Sequence, residues 1–211
     1  MRFSLAAGAF VVGSMVMAGV SSATMVQIQS NPAGSTDGIG RFTGSISYTS
    51  NTANTGTLTI VISNTNTPAE GGYITGMVFN IPGADAAATA QLAASSIANF
   101  SVLGPTESAS PYGVYEAGAA LGGSWLGGGS PTGGVAVGQT GTFTFNITSA
   151  GAGAFTASSF IASGSSPSPL IRFKGFANGG SDKVPGVLVP APGAAALVAG
   201  AGLLAARRRR R

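Results

Sequence analysis

Six carboxylates make up the whole acidic inventory of this chain: Asp37, Glu70, Asp85, Glu107, Glu116 and Asp182. Lys174 and Lys183 are its only lysines, and histidine and cysteine are absent. That inventory narrows the chemistry. Without His the chain lacks the commonest general base and transition-metal ligand. Without Cys it has no thiol nucleophile, thiolate metal site or disulfide. A serine nucleophile would need a lysine base, and no Ser-x-x-Lys spacing occurs. Glycoside hydrolysis needs two carboxylates flanking the substrate. None of the six lies in a telling local motif, and all but Glu116 fall in segments that read as solvated loops or turns. The residues point away from an enzyme, and no catalytic, cofactor-binding or metal-binding residue is assigned.

Two stretches invite binding instead. Asn178-Gly179-Gly180-Ser181-Asp182-Lys183 carries hard oxygen ligands of the kind calcium takes, without the regular acidic spacing of a calcium loop. A glycine-rich turn capped by Asp182, with Lys183 as its solvated neighbour, is the better reading. Trp125 sits in GGSWLGGGSPTGG. An exposed Trp there is a platform for stacking on a sugar ring, and a buried one would pin the loop. Tyr112 and Tyr115 are close enough in sequence to join it in an aromatic cluster.

The net charge of +4 belongs to the ends of the chain. Arg2 and Arg207–Arg211 are terminal; between them lie four cations, Arg41, Arg172, Lys174 and Lys183, against the six acids, which leaves −2. A nucleic-acid-binding face needs clustered cations within the fold, so no nucleic acid is expected as a partner. Charged residues are 8% of the chain, against roughly 25% in an average soluble domain. Glycine accounts for 34 of 211 residues, which favours short strands joined by turns over long helices.

Both ends read as addresses. Arg2 is followed by an apolar stretch, Leu5 to Val20, and by Ser21-Ser22-Ala23, small residues that place a cleavage site between Ala23 and Thr24. This is the pattern of a secretory signal peptide over residues 1–23. The other end, 187–211, combines Val189-Pro190-Ala191-Pro192-Gly193, the apolar run Ala194 to Ala206, and Arg207, Arg208, Arg209, Arg210 and Arg211. Counted from Val187 to Ala206, twenty residues are about enough for a helix to cross a hydrocarbon core. The arginines would hold their end in the cytoplasm.

That order of Pro-x-Pro motif, weakly apolar helix and arginine cluster resembles the PEP-CTERM sorting signal of exported bacterial proteins, in its VPAPG variant. Ala191 stands where the name-giving motif has Glu. The resemblance implies an exosortase-type processing enzyme as partner, a transient or single-pass membrane anchor, and residence in the cell envelope or extracellular matrix. The alternative is a plain anchor that stays uncut. Within the body, TGSISYTSNTANTGTLTIVISNTNT, GGYITGMVFNIPG and RFKGFANGGSDKVPG are also similar to that family. The family implies no activity and supplies no catalytic residue. Its setting implies a structural or interaction role, with extracellular polysaccharide as a partner; a carbohydrate-binding module using Trp125 is the alternative.

The body, 24–186, reads as one all-β domain. Residues 57–63 alternate Leu58, Ile60 and Ile62 against Thr57, Thr59, Val61 and Ser63; residues 141–148 alternate Phe143, Phe145 and Ile147 against Thr142, Thr144, Asn146 and Thr148. Such period-two patterns with β-branched enrichment mark half-buried strands. Residues 41–49 and 73–79 read as strands too, with weaker signals at 97–103 and 112–116. In 170–176, Ile171 and Phe173 should face inward and Arg172 and Lys174 face water. Ala84 to Ala98 is alanine-rich and reads as a short helix or a long loop. Seven or more short strands predict an antiparallel β-sandwich of jelly-roll or Ig-like type, with a closed barrel as the alternative. The strands are too short and too few for a membrane barrel.

Overall fold

The computed structural model describes residues 23–127 and 129–190. Twelve strands run in chain order: β1 (Ala23–Ser30), β2 (Phe42–Ser50), β3 (Thr55–Asn64), β4 (Gly71–Phe79), β5 (Thr89–Ser95), β6 (Phe100–Leu103), β7 (Glu107–Ser108), β8 (Val114–Tyr115), β9 (Ala117–Leu121), β10 (Thr140–Thr148), β11 (Leu170–Phe176) and β12 (Ser181–Leu188). The helices among the described residues are single 3-10 turns of three or four residues. None is long and apolar enough to cross a membrane. The signal segment before Ala23 and the tail from Ala191 onward lie outside the described residues, so the expected signal and membrane helices do too.

Ten strands form one antiparallel sheet in the order β5-β10-β3-β2-β1-β12-β11-β4-β9-β6. The expectation of an antiparallel all-β fold holds. The two layers of a sandwich are not separate sheets, however. They are joined where β1 pairs with β12 over Ile28–Leu188, Gln29–Val187 and Ser30–Gly186. The sheet folds over along this join until β5 meets β9 and β6 on the far side. The result is a nearly closed barrel. Bulges where β10 meets β5 and where β11 meets β4 supply local bending.

Alternation explains the core. Leu58, Ile60 and Ile62 on β3, Phe143, Phe145 and Ile147 on β10, and Phe42, Ile46 and Tyr48 on β2 are all buried inside the barrel. Phe79 meets Phe145 edge-on, with centroids 5.0 Å apart, and Phe100 meets Phe143 at 4.8 Å. A second, smaller core lies on the outer side of β4, β9 and β11. There the segment between β6 and β9 and the loop after β9 bring Leu103, Ala109, Tyr115 and Trp125 onto Val78, Ala120 and Leu170.

β1, β7 and β9 have no counterpart in the sequence reading, and two further segments run against it. Residues 89–95, expected in a helix or loop, form β5. Alanine favours a helix in isolation, but here Ala90 is buried opposite Ile147, and β10 provides a full ladder for the segment to pair with. β12 covers 181–188, where a turn was expected through Lys183. Its Pro185 and Gly186 break the pattern that marks a strand, yet it pairs on both sides.

Candidate functional site

Trp125 does not stand on the surface. It is 1% exposed, and its ring lies against β4 so closely that a Cβ at Gly76 would come within 3.2 Å of it. Glycine at position 76 makes this approach possible. The indole faces are therefore closed to a sugar, and the stacking platform is corrected to a loop anchor. Tyr115 joins it in the small outer core with Tyr112 packed alongside, so the aromatic cluster forms, but indoors. The Tyr115 hydroxyl donates to the Pro167 carbonyl at 2.7 Å, and the Tyr112 hydroxyl to that of Gly34 at 2.5 Å.

Beneath Trp125 lies Arg172, expected to face water and found 8% exposed. Its guanidinium carbon sits 5.9 Å from the Trp125 ring centroid. Arg172 pairs with Gly76 across β11 and β4, and Thr75 is the extra residue of the bulge beside that pair. Among the described residues, the buried side-chain atoms without a hydrogen-bond partner are Arg172 Nε and Nη1, Trp125 Nε1 and Thr75 Oγ1. All four belong to this one corner of the sheet. Burial lowers the Arg172 pKa, with no carboxylate opposing the shift.

Two more cations share the patch. Lys183 on β12 stands directly opposite Arg172, and Lys174 follows two residues along β11. Each amine reaches a loop carbonyl: Lys174 Nζ donates to Gly127 at 3.1 Å, and Lys183 Nζ to Ser110. Burial first, then the charge of Arg172, lowers the pKa of both lysines; Asp37 pulls Lys183 partly back. Three of the four cations of the body thus crowd one outer face. Sequence reasoning missed this because the cover comes from far along the chain: Gly127 lies 47 positions from Lys174, and Ser110 lies 73 from Lys183.

Asp182 corrects a further expectation. It is buried at 1% exposure and lies within β12. One carboxylate oxygen accepts from Thr36 Oγ1 at 2.9 Å and the Asp37 amide at 3.0 Å; the other accepts from the amides of Ile39 and Gly40, both at 2.9 Å. It clamps a distant loop and neither caps the turn nor makes a solvated pair with Lys183. The turn is closed by Asn178, whose Oδ1 accepts from the Gly180 amide at 2.8 Å. With its carboxylate committed to four donors, Asp182 is not a calcium ligand in a loop.

Three of the remaining acids also serve the backbone. Glu70 accepts from the amide and hydroxyl of Thr67, both at 2.9 Å, and these bonds hold its pKa below the ordinary value. Asp85 is lowered likewise by the amides of Ala150 and Ala87. Glu116 accepts from the Ile81 amide at 2.8 Å. These arrangements fix loops.

The other half of the barrel carries an uncharged face. Outward-facing residues of β10, β3, β2 and β1 line up in register as four rows: Thr140–Ser63–Thr43–Gln29, Thr142–Val61–Ser45–Gln27, Thr144–Thr59–Ser47–Met25 and Asn146–Thr57–Thr49–Ala23. Gln91 and Thr89 of β5 extend it beside Asn146 and Thr148. Adjacent strands lie about 4.8 Å apart, and alternate residues on a strand about 6.7 Å apart, so this is a grid mostly of hydroxyls and amides, interrupted by Val61, Met25 and Ala23. The strand alternation displays these residues in the sequence; only the pairing places them side by side.

Of the residues singled out from the sequence, Ala23 and Thr24 open β1, and Thr24 Oγ1 accepts from the Ala157 amide at 2.7 Å. Val189 follows β12 and donates its amide to the Gln27 carbonyl at 3.0 Å; Pro190 is the last described residue. Ala191, Pro192, Gly193 and Arg207–Arg211 lie outside the described residues. No protein-family model, curated protein or solved structure matches the chain.

Proposed function

We propose that this chain is an exported protein of the cell envelope or extracellular matrix, with a structural and interaction role. Its address labels would be the signal segment ending at Ala23 and the PEP-CTERM-type tail beginning at Val189. The tail's Pro-x-Pro motif, apolar run and five arginines support handling by an exosortase-type enzyme at the membrane, with the body on the outside. The two halves of the sheet act as the layers of a flattened, sandwich-like carrier.

The observation that carries the interaction role is the neutral grid on β5, β10, β3, β2 and β1. A face with hydroxyls and amides and no charge suits an uncharged polysaccharide, whose own hydroxyls exchange hydrogen bonds with it directly or through water. Such binding lacks a Coulombic component and should be insensitive to salt. Co-sedimentation with amorphous cellulose and with dextran-coated beads, at low and high salt, tests it. The account expects retention unchanged by salt and strongly reduced in the double variant Thr59→Lys, Thr144→Glu. Those residues face each other, so opposite charges there are compatible with the fold. No retention of the unsubstituted protein on either polymer contradicts the interaction role.

A further inference from the structure

The chain holds nine asparagines, and Asn178 alone is followed by glycine. The others precede proline, which has no amide proton, or threonine, isoleucine or phenylalanine, whose side chains crowd the amide after the asparagine. Gly179 puts nothing beside its own nitrogen. It sits at φ +78° with open space where a Cβ would stand. Asn178 and Gly179 are both exposed in the turn between β11 and β12. Two bonds close that turn. Asn178 Oδ1 accepts from the Gly180 amide at 2.8 Å, an Asx turn. The Gly179 amide donates to the Phe176 carbonyl at 2.8 Å. The first bond draws electron density from the side-chain carbonyl carbon and sets a donor where negative charge would develop on Oδ1. The second holds the nitrogen that is placed to attack that carbon.

We infer that Asn178 is a self-modification site, at which the chain slowly converts a side-chain amide into a carboxylate. The Gly179 amide loses its proton to hydroxide, and its nitrogen attacks Asn178 Cγ. The new N–C bond closes a succinimide ring, and Nδ2 takes up a proton from water and leaves as ammonia. A second water opens the ring at either carbonyl. One opening gives aspartate at 178. The other gives isoaspartate, in which the main chain runs through the former side chain and gains a methylene. Water is the only co-reactant. Either product takes the charge of the body one unit beyond −2. The isoaspartate also lengthens a turn held by the Gly179–Phe176 bond and by the Ala177 amide on the Glu70 carbonyl at 2.9 Å. Because Phe176 holds the attacking nitrogen, the reaction proceeds from the locally opened turn, and the fold sets its rate. Asp37-Gly38 is the chain's one Asp-Gly step, with the Gly38 amide held by Ser35 Oγ at 2.7 Å. An ionised carboxylate resists the same attack, so ring closure there is slower. The turn lies outside the neutral grid, and its chemistry does not depend on where the chain resides.

The test incubates the full chain for weeks at neutral and at mildly alkaline pH and digests samples briefly with trypsin. Cleavage after Lys174 and Lys183 releases Gly175–Lys183, in which Asn178 is the one asparagine. Chromatography with mass spectrometry is expected to show this peptide replaced by two isomers with the mass of the acid, before any other asparagine of the chain is converted. The rate should rise with pH in proportion to hydroxide. The same peptide excised before incubation should convert about fivefold faster, the factor that one net hydrogen bond supplies. Asn178→Gln requires a larger ring that closes far more slowly, and it should abolish the pair of isomers. An Asn178 that converts no faster than the other asparagines overturns the proposal. A single acidic product in place of two isomers overturns the succinimide route, and equal rates in the folded chain and the excised peptide overturn control by the turn.

Discussion

Asp182 and Arg172 stand on adjacent strands and face opposite sides of the sheet. Asp182 faces four donors; Arg172 Nε and Nη1 find no acceptor among the described residues. The difference sets what each residue does. The carboxylate stabilises the loop from Thr36 to Gly40, in which the amides of Asp37, Ile39 and Gly40 would otherwise be left without partners. Asp182→Ala strands those donors, and the loss should be about 3 kcal/mol or more in urea unfolding. A loss below about 1 kcal/mol would mean water replaces the carboxylate without cost. Tyrosines set the alkaline limit. Burial raises Tyr48 and Tyr115 above the ordinary phenol value of 10.0, and their hydroxyls donate to Ala152 and Pro167. A raised folded-state pKa means that the stabilisation is complete below the unfolded value and is lost as pH rises past it. The urea midpoint should therefore hold steady to about pH 10 and fall above it, with a shallower fall in Tyr115→Phe.

The strands divide by how far each one's environment is local. β2, β3 and β10 alternate cleanly because one face packs on the barrel core and the other meets water, so their patterns were legible in the sequence. β5 was not: its alanines carry a helical preference, and only the exposed edge of β10 makes a strand of them. β12 contains Pro185 and Gly186, and its inward Asp182 reads as a solvent residue until the Thr36–Gly40 loop is in place. Arg172 was misread for a related reason. Its strand alternates as expected, but a distant loop covers the outer face, and nothing near position 172 encodes that cover. The same distinction makes the seam between β5 and β6 the soft edge of the barrel, since the two meet there through side chains and not through a backbone ladder. Phe100 of β6 closes this seam against Phe143. Phe100→Ala should cost about 3 kcal/mol and speed amide exchange in β5 and β6 before other strands. Uniform acceleration across all strands would show that the seam opens only with the whole domain.

At the scale of the whole molecule, charge is segregated. The ends carry six arginines, the body carries −2, and three of the body's four cations gather on one outer face while the opposite half presents hydroxyls and amides. The segregation suits a molecule whose termini deal with the membrane and whose body meets a largely neutral surrounding. The most direct test is intact-mass measurement of the native protein recovered from the cell surface or medium. The account predicts a chain that begins at Thr24 and lacks Arg207–Arg211. A surface-recovered chain that retains its arginines contradicts processing, and a full-length chain confined to the cytoplasm contradicts export itself.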